Sequence, residues 1–394
     1  MDDGRRSVCV ALVTAVLVSL APGSSSAQGN AIVIGAHLPL TGANADPAAR
    51  MQRGYQLLVD DVNARGGIKG RPLQLVIEDD RNDPTTVRAA IDRLGTRDKA
   101  VGILGTYGSA NGMAGAQQAE RYGIPNIQPF TSNPKIVQSG HRFVFNLTAG
   151  DDERWNTILN YLLPASRAKR IAGVSIEGIH TASFSALKDA VAKAGGTVVA
   201  EEAIASKQFD MAALATRLKE RKPDLLIYNA TTAQSIQIHR SLKQLNVNIP
   251  WVARSPSFGL DTDLVAALGK DLDFVVGLDE WYLGMQSAGN ADFERSFQAR
   301  HKYAPTRMEA KAYATAQLMV RAIEQAAEMT PQAVRDTLLK GKIQTIIGEM
   351  AFKENGQRHP QNLVGQLQGG KVVILWPAAA KLGEPKPAPD WTAR

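Results

Sequence analysis

The chain has 394 residues, of which 44% are apolar, 21% charged and only 6% aromatic, and its formal net charge is +7. A chain of this length and composition can bury more than one hydrophobic core, so it needs no disulfide or metal for stability. The basic residues are scattered along the chain, which argues against a surface that binds nucleic acid.

The N-terminus has the pattern of a secretory signal peptide over residues 1–27. Arg5 and Arg6 precede an apolar stretch, residues 8–20, that is too short to span a bilayer, and residues 24–27 are small enough for cleavage. We predict cleavage after this segment and export of the mature protein, which has no later membrane span. The paired arginines leave the general and the twin-arginine export routes open. The single cysteine lies within this peptide, so we expect no disulfide.

Beyond residue 30, short apolar runs alternate with segments of helical periodicity. The β-branched run of residues 31–37 predicts a buried first strand, and the apolar spacing of residues 47–64 predicts a helix after it. The alternation continues to residue 147 and starts again in the next segment. Strands that alternate with helices are typical of parallel sheets covered on both faces. The sequence therefore predicts an α/β fold with two similar lobes.

Two turns in the first half of the chain carry small and hydroxyl-bearing residues. Residues 105–112 (GTYGSANG) lie between an apolar run and a helical segment, and residues 131–133 (TSN) follow the next predicted strand. The first N–H groups of a helix have no internal partner and favour an anion. Ligands of open α/β sheets bind beyond the carboxyl ends of the strands. Together the turns predict a carboxylate site, and an ordinary helix cap is the alternative for the first turn.

No motif predicts an enzyme, a cofactor or a metal site. Ser109 does not lie in a G-x-S-x-G turn, and the sequence has no P-loop, no H-E-x-x-H and no G-x-G-x-x-G after the first strand. The six histidines are dispersed without ligand spacing. An exported hydrolase using Ser109 stays an alternative, but no base and acid can be nominated for it. The acid pairs Asp79-Asp80 and Asp151-Asp152 are interpreted as solvated caps.

Four sequence blocks together resemble a known family. They are IVIGAHLPLTG, RGYQLLVDDVNARGGIKGRPLQLVIEDD, VGILGTYGS and IPNIQPFTSNP. They resemble the periplasmic leucine/isoleucine/valine-binding family, the extracytoplasmic receptors of branched-chain amino-acid-type ABC importers, through nearly all of residues 31–380. The resemblance implies the type I periplasmic binding protein fold, in which two doubly wound parallel-sheet lobes are joined by three hinge crossings. It also implies a periplasmic monomer whose partners are a small ligand and a membrane permease.

The resemblance divides the chain into two lobes and a tail. The parts are lobe 1 (31–147 plus 283–348), lobe 2 (148–280 plus 349–380) and a loose tail (381–394). The implied crossings fall near residues 147–150, 278–283 and 348–352. The tail is expected to be loose because its prolines cannot donate to a strand ladder.

On lobe 1, the resemblance implies how the ligand carboxylate is bound. Ser109 would hold it with its hydroxyl and N–H, Phe130 would offer backbone groups, and Ser132 would offer a hydroxyl where the family commonly has threonine. The neighbouring positions assigned to the site are Tyr107, Gly108 and Thr131.

On lobe 2, the chain departs from the amino-acid-binding pattern. His180 stands where amino-acid-binding relatives have a tyrosine, and Thr231 occupies a second aromatic position. The acid that pairs with the ligand's ammonium falls near Arg254-Ser255, where the chain has no carboxylate. A buried ammonium without a counter-charge is costly.

We therefore expect a carboxylate ligand without an α-ammonium, such as an aromatic or 2-oxo acid, with Arg254 contacting a second ligand oxygen. Asp279 or Glu280, at a hinge, would supply the missing acid in the alternative, a receptor for branched-chain or other amino acids. A ligand sensor for a signalling partner is a further alternative, because the same fold serves both purposes.

Overall fold

The computed structural model describes residues 1, 31–42, 44–177, 180–205, 209–255, 262–360 and 362–394. The predicted signal peptide lies outside the described residues, Met1 apart. Within the described ranges, no helix combines the length and the apolar character needed to cross a membrane.

The strands and helices alternate along most of the chain. The strands are β1 (Ile32–Leu38), β2 (Leu73–Asp79), β3 (Gly102–Leu104), β4 (Asn126–Gln128), β5 (Val144–Asn146), β6 (Arg170–Ile176), β7 (Thr197–Ile204), β8 (Leu225–Asn229), β9 (Trp251–Ser255), β10 (Val275–Asp279), β11 (Ile343–Thr345), β12 (Gly348–Met350), β13 (Leu363–Gln368) and β14 (Lys371–Trp376). The helices are α1 (Ala45–Ala64), α2 (Pro84–Thr96), α3 (Ser109–Tyr122), α4 (Lys135–Gln138), α5 (Asp151–Ser166), α6 (His180–Lys193), α7 (Met211–Arg221), α8 (Thr232–Gln244), α9 (Thr262–Leu268), α10 (Asn290–His301), α11 (Arg307–Gln325) and α12 (Pro331–Lys340).

The strands form two large sheets with the same internal order, and β11 and β12 pair as a separate two-stranded antiparallel sheet. The first sheet is β2-β1-β3-β4-β5, and all its neighbours are parallel. The second contains β7-β6-β8-β9-β10, also parallel, and β13 and β14 extend it as antiparallel strands. This order, in which the second strand lies at the edge and the chain then winds outward from the first, is a doubly wound arrangement. The α/β prediction with two similar lobes is therefore confirmed.

Apolar side chains cover the sheets of both lobes. The main core of lobe 1 lies between its sheet and the helices α1, α10, α11 and α12. Helices α1 and α11 approach so closely that a Cβ atom at Gly54 would lie only 2.4 Å from the carbonyl oxygen of Glu309. Lobe 2 has one core against α5 and α6 and another against α7 and α8. Burial of each large apolar side chain contributes about 1.5–3 kcal/mol, so each lobe has its own stabilising core.

The chain passes between the two sheets three times. The first crossing joins β5 to α5, the second follows β10, and the third lies between β12 and β13. Met350 and Phe352 pack in the core of lobe 1, so this lobe extends a few residues beyond the expected boundary at 348. The crossings lie against one another, since Asn146 and Gln357 form an isolated parallel bridge. The first crossing leaves the carboxyl end of β5, and the second leaves the carboxyl end of β10.

The tail of residues 381–394 is not loose, and the prediction from its prolines is wrong. Lys386 N donates to Gln366 Oε1 at 2.9 Å, and Ala388 N donates to Pro250 O at 2.7 Å. Trp391 is buried in the core of lobe 2, where its indole N–H donates to Val247 O at 2.9 Å. The prolines prevent a strand ladder, but they do not prevent an extended segment from packing along the lobe.

We expect Trp391→Ala to destabilise lobe 2 by about 3 kcal/mol, because it removes a buried aromatic ring and a buried hydrogen-bond donor. Urea unfolding followed by circular dichroism would measure the loss. Thr392→Ala, at an exposed neighbouring position, is the matched control. An unchanged unfolding midpoint for Trp391→Ala would contradict the packed tail.

Candidate functional site

The turn of residues 105–112 joins β3 to α3 and is fixed at both ends. Tyr55, fully buried, donates its hydroxyl to Gly105 O at 2.8 Å. Gly108 has φ +98°, a conformation that L side chains rarely adopt, and Ser109 begins the helix directly after it. The first N–H groups of α3 have no acceptor within the helix. They can therefore donate to a group that lies beyond the end of β3.

A buried carboxylate, that of Asp80, is hydrogen-bonded to side chains of this turn. It accepts hydrogen bonds from Thr106 Oγ1 at 2.9 Å and Asn111 Nδ2 at 3.0 Å, and it lies 3.1 Å from His37 Nδ1. The interpretation of Asp80 as a solvated cap is therefore wrong, because the turn folds over it and excludes water. Thr106 and Asn111 are used in this network, which leaves the half-buried Tyr107 and Ser109 as side chains available to a ligand.

The second turn, after β4, lies directly beside the first. Tyr107 and Phe130 form a parallel bridge with their ring centroids 6.1 Å apart, and Gly108 N donates to Phe130 O at 3.2 Å. Ser109 Oγ accepts from Asn133 N at 3.2 Å. That contact uses an oxygen lone pair and leaves the Ser109 hydroxyl hydrogen for another acceptor. Five of the expected positions, from Tyr107 to Ser109 and at 130 and 132, are thus brought together.

Thr131 differs from its neighbours because it is fully buried. Its hydroxyl donates to Asn146 Oδ1 at 3.3 Å, and Asn146 Nδ2 returns a bond to Thr131 O at 3.1 Å. The Thr131 side chain therefore holds the turn onto β5 and is not available to a ligand.

Ser132 is half-buried, and its hydroxyl is one of the groups that lower the pKa of Asp151, the first residue of α5. Asp151 accepts a hydrogen bond from Asn229 Nδ2 at 3.2 Å and lies 3.6 Å from Arg154 Nη1. Burial raises the pKa of Asp151, although the charge of Arg154 and these polar groups oppose the rise. The interpretation of Asp151 as a solvated cap is wrong, whereas Asp152 is exposed.

Lobe 2 presents a row of short polar side chains at the ends of three adjacent strands. Ser175 on β6 is in register with Asn229 on β8, which is in register with Ser255 on β9. Ser255 Oγ is buried and has no hydrogen-bond partner among the described residues. The bond from Asn229 to Asp151 shows that this row faces the start of α5. The sequence analysis did not assign Asp151 or Asn229 to the site. Their positions, at the start of a helix and at the end of a strand, could have indicated them.

The other expected residues of lobe 2 are engaged in different ways. His180 begins α6 half-buried, with its ring 5.8 Å from that of Phe184. Thr231 is exposed and caps α8 in a reciprocal pair with Gln234. Arg254 is buried, and its Nε donates to Ser235 Oγ of α8 at 3.3 Å. Because side chains alternate along a strand, Arg254 lies on the face of β9 opposite to Ser255. These contacts do not bring Thr231 or Arg254 together with the hydroxyls of lobe 1.

A buried group of charged residues lies at the hinge beside Phe130. Glu280 accepts from Lys311 Nζ at 3.1 Å and from Arg358 Nη2 at 2.7 Å. Burial alone would raise the pKa of Glu280, but Lys311, Arg358 and Arg154 hold it below its usual range. The ammonium of Lys311 lies 5.2 Å from the centre of the Phe130 ring. Burial lowers the pKa of Lys311 to about 8 against the attraction of Glu280.

Asp279, the neighbour of Glu280, is buried and paired less tightly. Its carboxylate lies 3.7 Å from Arg307 Nε, and it accepts from Glu280 N at 2.9 Å. Burial raises the pKa of Asp279 to about 7, although Arg307 opposes the rise. At neutral pH this carboxyl group is therefore partly protonated.

Two lobes with the same strand order, joined by three chain crossings and with hydroxyl-bearing residues at their strand ends, have the architecture of a two-lobed solute-binding protein. The chain belongs to the periplasmic binding protein family, whose model matches residues 31–371. The members of this family are extracytoplasmic ligand receptors and not enzymes, so the prediction that the chain is not an enzyme is confirmed.

Individual relatives agree with this assignment. A Leu/Ile/Val-binding protein of Rhizobium johnstonii is 25% identical over 379 residues, which cover 92% of this chain and 98% of the relative. The isoleucine complex of LivJ from Streptococcus pneumoniae has a TM-score of 0.77 at 21% identity and covers 90% of this chain and 100% of its own. A solute-binding protein of an ABC transporter from R. palustris, in complex with benzoate, has a TM-score of 0.75 at 21% identity, with 91% and 98% covered. The two structural matches establish the fold.

We expect the stability of the protein to depend on pH through Asp279. Its carboxyl group has a higher pKa in the folded chain, about 7, than its ordinary value of 3.8, so the folded state binds the proton more tightly between these values. Asp279 therefore destabilises the fold progressively as the pH rises from about 4 to 7.

Thermal unfolding of the wild type and of Asp279→Asn at several pH values would measure this effect. The melting temperature of the wild type, minus that of the variant, should fall as the pH rises through this window. Asp189→Asn, at an exposed carboxylate, is the matched control. A difference that is flat with pH would show that Asp279 does not titrate as described.

Proposed function

We propose that the protein is the periplasmic receptor of an ABC importer, exported by its signal peptide, and that it acts as a monomer which closes two lobes on a small carboxylate. Its ligand is an aromatic or 2-oxo acid without an α-ammonium, which it delivers to a membrane permease. The observation that carries the proposal is the pairing of both hinge acids with cations, beside a turn that offers free donors to an anion.

The carboxylate half of the site rests on Ser109 and Ser132. Ser109 combines a hydroxyl that is free to donate with the N-terminus of α3, and both favour an acceptor that carries negative charge. Ser132 adds a second hydroxyl from the neighbouring turn. A carboxylate only accepts hydrogen bonds, so a set of donors that converges from two strand ends matches its chemistry.

The case against a ligand ammonium rests on the state of the acids. Glu280 already accepts from Lys311 and Arg358. Asp279 is paired with Arg307 and partly protonated at neutral pH. Ser255, where the resemblance implies an acid, offers only a hydroxyl. An ammonium that entered this cleft would have to displace an existing cation from either hinge acid.

The balance of charge around the hinge also favours an anionic ligand. Arg154, Lys311 and Arg358 surround two carboxylates, those of Asp151 and Glu280, among the residues that the structure describes. Buried charges are stable when they are compensated. A ligand carboxylate would supply the remaining negative charge without rearranging the hinge.

The aromatic part of the proposal rests on rings next to the expected site residues. Tyr107 and Phe130 pack together in the two turns of lobe 1, and His180 begins α6 of lobe 2 half-buried. Aromatic rings at these positions suit a flat ligand. Structures of this fold hold either kind of ligand, since the R. palustris protein contains benzoate and the S. pneumoniae protein contains isoleucine.

The alternative is a receptor for branched-chain or other amino acids. The names of the Leu/Ile/Val-binding relatives favour it, and it requires Asp279 or Glu280 to accept the ammonium. Delivery of the ligand to a signalling partner instead of a permease would use the same site.

Calorimetric titration with benzoate, benzoylformate, phenylpyruvate and leucine tests the proposal. We expect at least one of the three acids to bind and leucine not to bind. Ser109→Ala should weaken binding of that acid by about 10- to 100-fold, because a hydrogen bond to a charged group is lost. Ser139→Ala, which truncates an exposed hydroxyl elsewhere on lobe 1, is the control.

Tight binding of leucine, with no binding of the acids, would contradict the proposed ligand class. Unchanged affinity in Ser109→Ala would remove Ser109 from the site.

A further inference from the structure

We propose that Arg307, the first residue of α11, binds a second anionic group of the ligand, at the end of the molecule away from the carboxylate that Ser109 holds. The inference rests on the proposed function and narrows its ligand class to aromatic or 2-oxo acids that carry a second carboxylate. The sequence analysis did not assign Arg307 to the site, and the residue enters through its contacts in the folded chain.

The position of Arg307 follows from its contact with Phe130. The guanidinium carbon lies 5.9 Å from the centre of the Phe130 ring, and that ring packs against Tyr107 with the two centroids 6.1 Å apart. All three side chains belong to half-buried residues. They form a continuous row that begins at the turn before Ser109 and ends at the hinge, where Arg307 meets Asp279 of lobe 2.

Two cations of α11 lie beside the Phe130 ring, and their surroundings differ. The ammonium of Lys311, 5.2 Å from the ring centre, is buried and donates to Glu280 at 3.1 Å. The side chain of Arg307 is 23% exposed, and its Nε lies 3.7 Å from Asp279 Oδ2, which is longer than a hydrogen bond. Arg307 is therefore the cation of this pair that a ligand can reach.

The acid beside Arg307 compensates its charge only in part. Burial raises the pKa of Asp279 to about 7, so a fraction of this carboxyl group is neutral at neutral pH. Glu280, the adjacent acid, accepts from Lys311 and Arg358 instead. A half-buried guanidinium beside a partly neutral acid can take further negative charge. Its planar set of five N–H donors matches the geometry of a carboxylate and can serve more than one acceptor.

The two ends of the ligand are thus bound by different means. The first carboxylate meets the hydroxyls of Ser109 and Ser132 and the N-terminus of α3, which offer neutral donors and partial charge. The second meets the full positive charge of Arg307. The ring or carbon chain between them lies along Phe130. A monocarboxylate uses only the first of these two places.

The test uses pairs of ligands in which a methyl group replaces the second carboxylate. The first pair is terephthalate and 4-methylbenzoate, and the second is 2-oxoglutarate and 2-oxopentanoate. Titration calorimetry at constant ionic strength should show the dicarboxylate of at least one pair binding about 10- to 100-fold more tightly than its methyl counterpart, because a charge-assisted contact is gained. This comparison needs no variant and does not depend on how any variant folds.

Arg307→Gln then assigns the preference to this residue. We expect the variant to bind the dicarboxylate about 10- to 100-fold more weakly and to lose most of its preference over the methyl counterpart. Arg307→Lys keeps the charge and should retain part of the preference. Arg321→Gln, at an exposed arginine of the same helix, is the matched control and should retain all of it. Melting temperatures establish that the variants are folded.

The outcomes separate the inference from the function beneath it. Dicarboxylates that bind no more tightly than their methyl counterparts would overturn the inference and leave the carboxylate receptor standing. A preference that persists undiminished in Arg307→Gln would also overturn it, because another cation would then hold the second group. Binding of leucine in place of every acid would overturn the proposed function and the inference together.

Discussion

The arrangement of the two lobes depends on one buried carboxylate, that of Glu280. It lies on the second chain crossing and accepts from Arg358 on the third, while Arg358 Nε donates to Leu147 O on the first. Lys311, the other partner of Glu280, also contacts Thr148 Oγ1 at 3.4 Å. A buried charge that loses its partner is strongly destabilising, so this network holds the three crossings together. Because the same group pairs Glu280 with two cations, it also withholds this acid from a ligand. In the proposed function, the hinge therefore contributes both to the geometry of the cleft and to its preference for an anionic ligand.

The second constraint is the supply of hydrogen-bond donors at the ends of the strands. The Asp80 network uses the side chains that point into lobe 1 and leaves Ser109 beside the start of α3. Across the cleft, the strand ends of lobe 2 present Asn229 and Ser255, where a receptor for ammonium groups would need an uncompensated acid. In the proposed site the two lobes therefore present different chemistry to a ligand: lobe 1 offers donors to its carboxylate, and lobe 2 offers a partly compensated acceptor, Asp151.

Hydrophobic periodicity and turn chemistry were sufficient to predict the α/β fold, because alternating strands and helices leave few other arrangements. The residues of the two lobe 1 turns could be located for the same reason, since parallel strands place their carboxyl ends on one edge. Asp80 and Asp151 were misinterpreted because a carboxylate beside a turn looks the same in sequence whether water or another segment covers it. Arg254 and Ser255 are adjacent in sequence, yet the alternation of side chains places them on opposite faces of β9. The tail was misinterpreted because its partners, Val247 and Pro250, are distant in the sequence and no local pattern reveals them.

A crystal structure of the protein with a bound acid tests the central claim most directly. The account predicts a ligand carboxylate between the lobes that accepts hydrogen bonds from the hydroxyls of Ser109 and Ser132 and from the first N–H groups of α3. Glu280 should still be paired with Lys311 and Arg358. A ligand whose ammonium displaces these cations from Glu280 or Asp279, or one that binds away from Ser109, would contradict the account.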